Sequence, residues 1–186
     1  MTARPPEALR TSVREAFGRL VYTHKTHEKE IESLLATSAL LRWAELGLIA
    51  LAAGGAITVL LGSGFAFQLA TAILATLATA VTLYQVSFDP DHAIDEHRKA
   101  ARQMWLIREK YINLLADMTD SAITENEARQ RRDELLRDLH AVYRDAPATS
   151  RKAYAKAQTA LKLHEEMTFS DDEIDRFLPP PLRTTE

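Results

Sequence analysis

The chain is predicted to be all-α, with a two-helix transmembrane hairpin, a long N-terminal amphipathic helix and a C-terminal cytoplasmic helical bundle. Three observations predict this class. From Leu46 to Phe88, 43 consecutive residues contain no Asp, Glu, Lys or Arg, in a chain that is 26% charged. On both sides of that run, apolar residues recur at steps of three and four, the helical period. No segment shows the alternation of a half-buried strand, and no internal repeat is present.

The N-terminal helix covers residues 1–39 after Pro5-Pro6, and Leu9, Val13, Phe17, Leu20, His24, His27, Ile31 and Leu35 mark its apolar face. No proline or glycine run parts it from the membrane segment. One long helix is expected to enter the bilayer, bent near Thr37-Ser38. The hairpin covers residues 40–88, with spans at about 40–61 and 65–88 joined by Gly62-Ser63-Gly64. A hydrocarbon core of roughly 30 Å needs about 20 apolar residues per helix. The first span has only 16 uncharged residues, Leu46–Leu61. It recruits Leu40, Leu41 and Trp43 by letting Arg42 and Glu45 snorkel to the headgroups.

The cytoplasmic helical region covers residues 89–178. It opens with Asp89-Pro90, an N-cap followed by proline at the first helical position. Ile94, His97, Ala101, Met104, Arg108, Tyr111, Leu115 and Met118 continue at helical spacing, with Ala100, Ile107 and Leu114 widening the stripe. Thr124 with Glu127, and Ser170 with Glu173, have the form of capping boxes. The first opens a helix ending near Asp145-Ala146-Pro147, and the second opens a short helix stopped by Pro179-Pro180-Pro181. Between them a helix starting near Thr149 or Ser150 turns Ala153, Ala157, Ala160, Leu161 and His164 toward a partner. Residues 179–186 form a tail.

Five of the six glycines lie in the hairpin, and there is no cysteine. Disulfides, thiolate metal sites and cysteine nucleophiles are therefore excluded together. No cleavable signal peptide is expected, because the charged first 40 residues hold no apolar signal core. Residues 1–45 carry seven Lys and Arg, residues 89–110 carry five, and the Gly62-Ser63-Gly64 turn carries none. By the positive-inside rule both termini face the cytoplasm, across the inner membrane. A net charge of -3 offers no general attraction to nucleic acid.

In the second span, Gln68, Thr71, Ala75, Thr79 and Thr82 fall in one narrow arc, with Gln85 slightly off it. Such a stripe turns from lipid toward another helix or toward water. Both readings require more than one copy, since two helices cannot enclose a pore. In the first span, Gly47, Ala50, Gly54 and Gly55 permit close helix approach. Asp89 and Pro90 form a hinge candidate. His24 and His27, with Glu28, could face one metal ion, but no further ligands stand at fixed spacing, and His92 and His97 diverge. No metal, cofactor or catalytic residue is expected.

This layout resembles the SLATT family, two-transmembrane effector domains associated with SMODS and SLOG systems. The resemblance rests on the charged N-terminal helix, the minimal outer turn, the segment from His97-Arg98-Lys99-Ala100-Ala101-Arg102 through Arg108-Glu109-Lys110-Tyr111, and Tyr154-Ala155-Lys156-Ala157. It covers residues 10–178. It implies a membrane effector of prokaryotic conflict systems, forming a homo-oligomeric pore or permeabilising the bilayer when triggered. The trigger would be a cytoplasmic sensor or a nucleotide-second-messenger system. The alternative is a membrane-anchored scaffold that recruits a cytoplasmic partner and conducts nothing.

Overall fold

The computed structural model describes residues 6–60 and 64–184; Gly62 and Ser63 of the expected outer turn lie outside the described residues. The elements are α1 (Glu7–Leu60), α2 (Phe65–Phe88), α3 (Pro90–Thr119), α4 (Glu125–Asp145), α5 (Arg151–Lys162), α6 (Asp171–Phe177) and a closing 3-10 turn (Pro180–Leu182), with no strand among the described residues.

Helix α1 is one helix of 54 residues, about 80 Å long at 1.5 Å per residue. It starts where Leu9 N and Arg10 N donate to the Pro6 carbonyl, at 3.0 and 3.2 Å, and meets no further proline. The bend expected at Thr37-Ser38 does not interrupt the helix. Thr37 Oγ1 donates back to the Ser33 carbonyl at 2.9 Å, so its polarity is absorbed within the helix.

The cytoplasmic core joins Leu9, Val13 and Leu20 of α1 to Met104, Ile107, Tyr111, Leu114 and Met118 of α3, with Leu135 and Leu139 of α4 beneath. Close packing pairs α1 with α2, α3 and α5, and α3 with α4. Helix α5 lays a flat alanine face, Ala153, Ala157 and Ala160, all buried, against α1. His164, expected on that face, lies beyond the end of α5 and is exposed. Thr124 Oγ1 accepts from Glu127 N at 3.3 Å while the Glu127 carboxylate accepts from Thr124 N at 2.7 Å, which fixes the start of α4.

One continuous seam runs the length of α1. After Leu9, Val13, Leu20, His24 and His27, it passes through Leu34, Ser38, Leu41, Glu45, Leu48, Ala52, Gly55 and Val59, all buried or half-buried. The spacing alternates between three and four, the repeat of a coiled coil. α3 covers the lower part and α2 the upper part. α2 answers with Thr71, Leu74, Ala78, Val81 and Gln85. α3 answers with Ile94, His97, Ala101 and Met104.

Candidate functional site

The chemistry-bearing residues gather along the α1–α2 pair and at its junction with α3. Gly55 and Thr71 make the closest approach. A Cβ on Gly55 would overlap Thr71 Oγ1 and lie 3.2 Å from Thr71 Cβ, whereas a Cβ on Gly47 or Gly54 would meet nothing within 4 Å. The four small residues therefore do not act as one set. Gly55 serves the α1–α2 contact, while Gly47, Ala50 and Gly54 are exposed on the opposite side of α1.

The polar stripe of α2 is split in the same manner. Thr71 and Gln85 lie in the seam, Thr82 at its edge, and Gln68 and Thr79 are exposed. At 100° per residue the centre of the stripe stands roughly 80° from the α1-facing side. Thr71 and Thr79 each donate to the carbonyl four residues back, at 2.8 and 2.9 Å, and Thr82 shares its one proton between the Ala78 carbonyl, at 3.1 Å, and Glu45. Their hydroxyl protons are thus largely committed, and their lone pairs stay free to accept. Near the cytoplasmic end Glu45 turns into the pair instead of snorkelling outward: it accepts from the Thr82 hydroxyl and from Gln85 Nε2, the latter at 2.6 Å. Arg42 and Asp91 close this end with a salt bridge of 2.5 Å. Trp43, Tyr84 and Phe88 are exposed around it, the last two with ring centroids 4.5 Å apart. Exposed aromatic rings at such a level are typical of a membrane–water boundary.

Asp89 ends α2 and caps α3 at once. Its backbone is left-handed, with φ 37°, and its carboxylate accepts from His92 N at 3.1 Å, with Pro90 at the first position of α3. This break resets the helical phase. Were α2 and α3 continuous, the α2 seam through Gln85 and the α3 seam through Ile94, His97 and Ala101 would point roughly 150° apart. The left-handed residue brings both onto α1.

Below the junction, His27 of α1 and His97 of α3 meet with Nδ1 atoms 2.8 Å apart, both side chains buried. One ring must donate and the other accept, so the accepting ring is neutral. Burial, then the neighbouring His97 and His24, pull His27 down from 6.5 to about 4, against an opposing pull from Glu30. Burial also lowers His97, again against Glu30. His24 is lowered as well, by burial first, with its Nε2 3.8 Å from Glu28. Among the described residues no group of three or more His, Asp or Glu is placed to hold a metal ion.

A pH dependence follows. Below 6.5 the unfolded chain binds protons at these histidines that the folded chain refuses, so stability falls as pH drops from 6.5 toward 4. The slope is up to about 1.4 kcal/mol per pH unit for each histidine. Thermal unfolding of the detergent-solubilised protein between pH 7.5 and 4.5 should show this slope, and His27→Gln with His97→Gln should flatten it. An unchanged slope would assign acid sensitivity to other groups.

On the far side of α1, buried Lys25 reaches Glu28 at 2.7 Å and Glu166 at 2.6 Å. Burial alone would lower its pKa, but the hydrogen bonds to Glu166 and Glu28 reverse that and raise it. Glu166 is held below the usual carboxylate range chiefly by Lys25. This ties the segment after α5 back to α1.

Two of the helices are long and apolar enough to cross a membrane. Of an 18-residue apolar window, none is buried within the protein in α1 and 6% in α2, so these are not core helices. Residues 9–173 match the model of SMODS and SLOG-associating 2TM effector domain family 4. The chain belongs to that SLATT family. It is therefore a membrane protein of a two-transmembrane effector class, and the match spans nearly the whole chain. No curated protein and no solved structure matches it.

For a SLATT chain the features that sequence reasoning missed are cross-helix contacts. Glu45 was assigned to the headgroups, yet it stands on the three–four repeat of α1, which would have pointed it at α2. His27 and His97 each lie on the stripe of their own helix. Their meeting required knowing that those stripes face each other.

Proposed function

We propose that the protein is a membrane effector of a prokaryotic conflict or anti-phage defence system, which permeabilises the inner membrane as a homo-oligomer when triggered. The observation that carries this reading is the outward position of Gln68 and Thr79 on α2, uncovered by α1. Polar side chains in a membrane helix turn away from lipid, and among the described residues of one chain α1 does not cover that side. Copies arranged around an axis would bring these residues together, with threonine lone pairs available to water or a cation. The exposed Gly47, Ala50 and Gly54 leave the back of α1 open to a neighbouring helix. The transmembrane hairpin would have both termini in the cytoplasm, consistent with twelve Lys and Arg within residues 1–45 and 89–110. The effector is non-catalytic in this reading, and its trigger is a cytoplasmic sensor or a nucleotide-second-messenger system acting on α1 and α3.

Replacing Gln68 and Thr79 with leucine should abolish triggered loss of membrane potential, read with a voltage-sensitive dye in cells, while expression and helix content stay unchanged. Retained depolarisation would remove the pore reading. A second reading, a membrane-anchored scaffold without conduction, is favoured by Trp105 and Leu106 on α3, which are 50% and 53% exposed. A scaffold would keep its function in the leucine variant and lose it on Trp105→Ala with Leu106→Ala.

A further inference from the structure

Helix α6 is built but makes no extensive contact with the other helices. Its N-cap Ser170 and Glu173 form a capping box, Asp175 accepts from Thr184 N at 3.1 Å, and Arg183 Nε donates to the Leu178 carbonyl at 3.0 Å. The segment is thus a closed small unit, ordered before it meets a partner. It takes part in none of the close helix pairings. Phe177 is 83% exposed, and Phe169, Ile174 and Leu182 are exposed beside it.

Elsewhere on the chain an open groove of about 660 Å³ lies between α4 and α5, over α1. Its walls are Tyr22 of α1, Leu136 and Tyr143 of α4, and Tyr154 of α5, with Arg19 at the edge. It exists because α4 packs on α3 and α5 packs on α1, leaving the strip between them uncovered.

We infer that the groove of one copy receives the α6 arm of a neighbouring copy, so that the arm joins copies in the resting membrane. The inference rests on the homo-oligomer reading above and gives it an interface. Charge favours this occupant. The groove is lined by Arg19 and by no acidic residue, and Arg151 stands roughly 60° round α5 from the groove wall Tyr154, whereas the arm carries Asp171, Asp172, Glu173 and Asp175 against Arg176 and Arg183. Arg151 forms no ion pair among the described residues. Height agrees too. Copies in one membrane are related by rotation about its normal, which preserves level. The arm is rooted by Glu166 at Lys25 and Lys29 of α1, and the groove spans Ala16 to Thr23 of α1. The offset between the middles of these two stretches is about 10 Å, within the reach of a seven-residue helix. An arm that leaves one copy and enters the next is a head-to-tail contact, which closes into a ring when the rotation permits. The acidic first turn argues against a lipid surface, since anionic headgroups repel it.

The chain has no cysteine, so introduced thiols report without background. Phe177→Cys in one tagged chain and Leu136→Cys in a differently tagged chain, co-expressed and oxidised in native membranes, should give an adduct carrying both tags. Its yield should be at least several-fold above a control pairing Phe177→Cys with Arg129→Cys. Arg19→Glu with Arg151→Glu should cut the yield, and Asp171→Lys with Asp172→Lys should restore it. Native mass spectrometry of the wild type runs in parallel. Oligomers without the adduct overturn the arm contact and leave the oligomer standing; a monomer without the adduct overturns both. A double-cysteine chain that cross-links only within itself places the arm in its own groove and also overturns the proposal.

Discussion

Gly55→Leu should break the α1–α2 contact, lowering resistance of the detergent-solubilised protein to SDS unfolding by about 1–3 kcal/mol, the usual range for overpacking a tight contact. The cause is local. Thr71 already occupies the space that any Cβ at Gly55 would need, and its own Cβ stands 3.2 Å away. Thr71 cannot swing clear without giving up the hydrogen bond to the Phe67 carbonyl at 2.8 Å. Thr71→Gly in the Gly55→Leu background should recover most of the loss, a coupling that a double-mutant cycle isolates. Gly54→Leu is the matched control, because nothing lies within 4 Å of its Cβ position. Equal effects at Gly54 and Gly55 would show that the close approach is not where the structure puts it.

Straightening the α2–α3 junction should open the protein without its trigger. Asp89→Ala with Pro90→Ala removes the side chain that caps α3 and the residue that blocks a continuous helix. A continuous helix would turn the α2 seam roughly 150° from the α3 seam. With α3 held on α1 by the core, α2 must rotate and carry Thr71 and Gln85 off α1. Two measurements check this. A short bifunctional thiol reagent should bridge Glu45→Cys and Gln85→Cys, positions whose native side chains meet at 2.6 Å, in the parent chain and fail to do so in the straightened one. Dye leakage from cells should become constitutive, with helix content by circular dichroism unchanged or slightly raised. An intact cross-link and unchanged leakage would leave Asp89 and Pro90 as a fixed joint.

The helices were legible because their signals are local. The charge-free run, the three–four spacing and the capping residues Thr124, Ser150 and Ser170 can each be read within a few positions. The division of the polar stripe was not legible, since Thr71 and Thr79 lie in the same arc of α2 and only the position of α1 separates them. The same holds for Gly54 and Gly55, adjacent in the chain and on different sides of the helix. The phase reset at Asp89 was half legible. Asp-Pro announces a cap, but the positive φ that rotates one seam onto the other depends on both seams being docked on α1.

The order of α1 and α3 along the chain has a consequence for biogenesis. Leu9, Val13, Leu20 and His27 find their cover on α3, which is synthesised only after both apolar helices have left the ribosome. A nascent chain therefore carries an unshielded apolar stripe until insertion is complete, and such surfaces recruit chaperones and proteases. A chain that fails to insert exposes its two apolar helices as well, which makes it a further target for the same machinery. The order of the elements thus makes shielding of the N-terminal stripe wait on completion of both apolar helices.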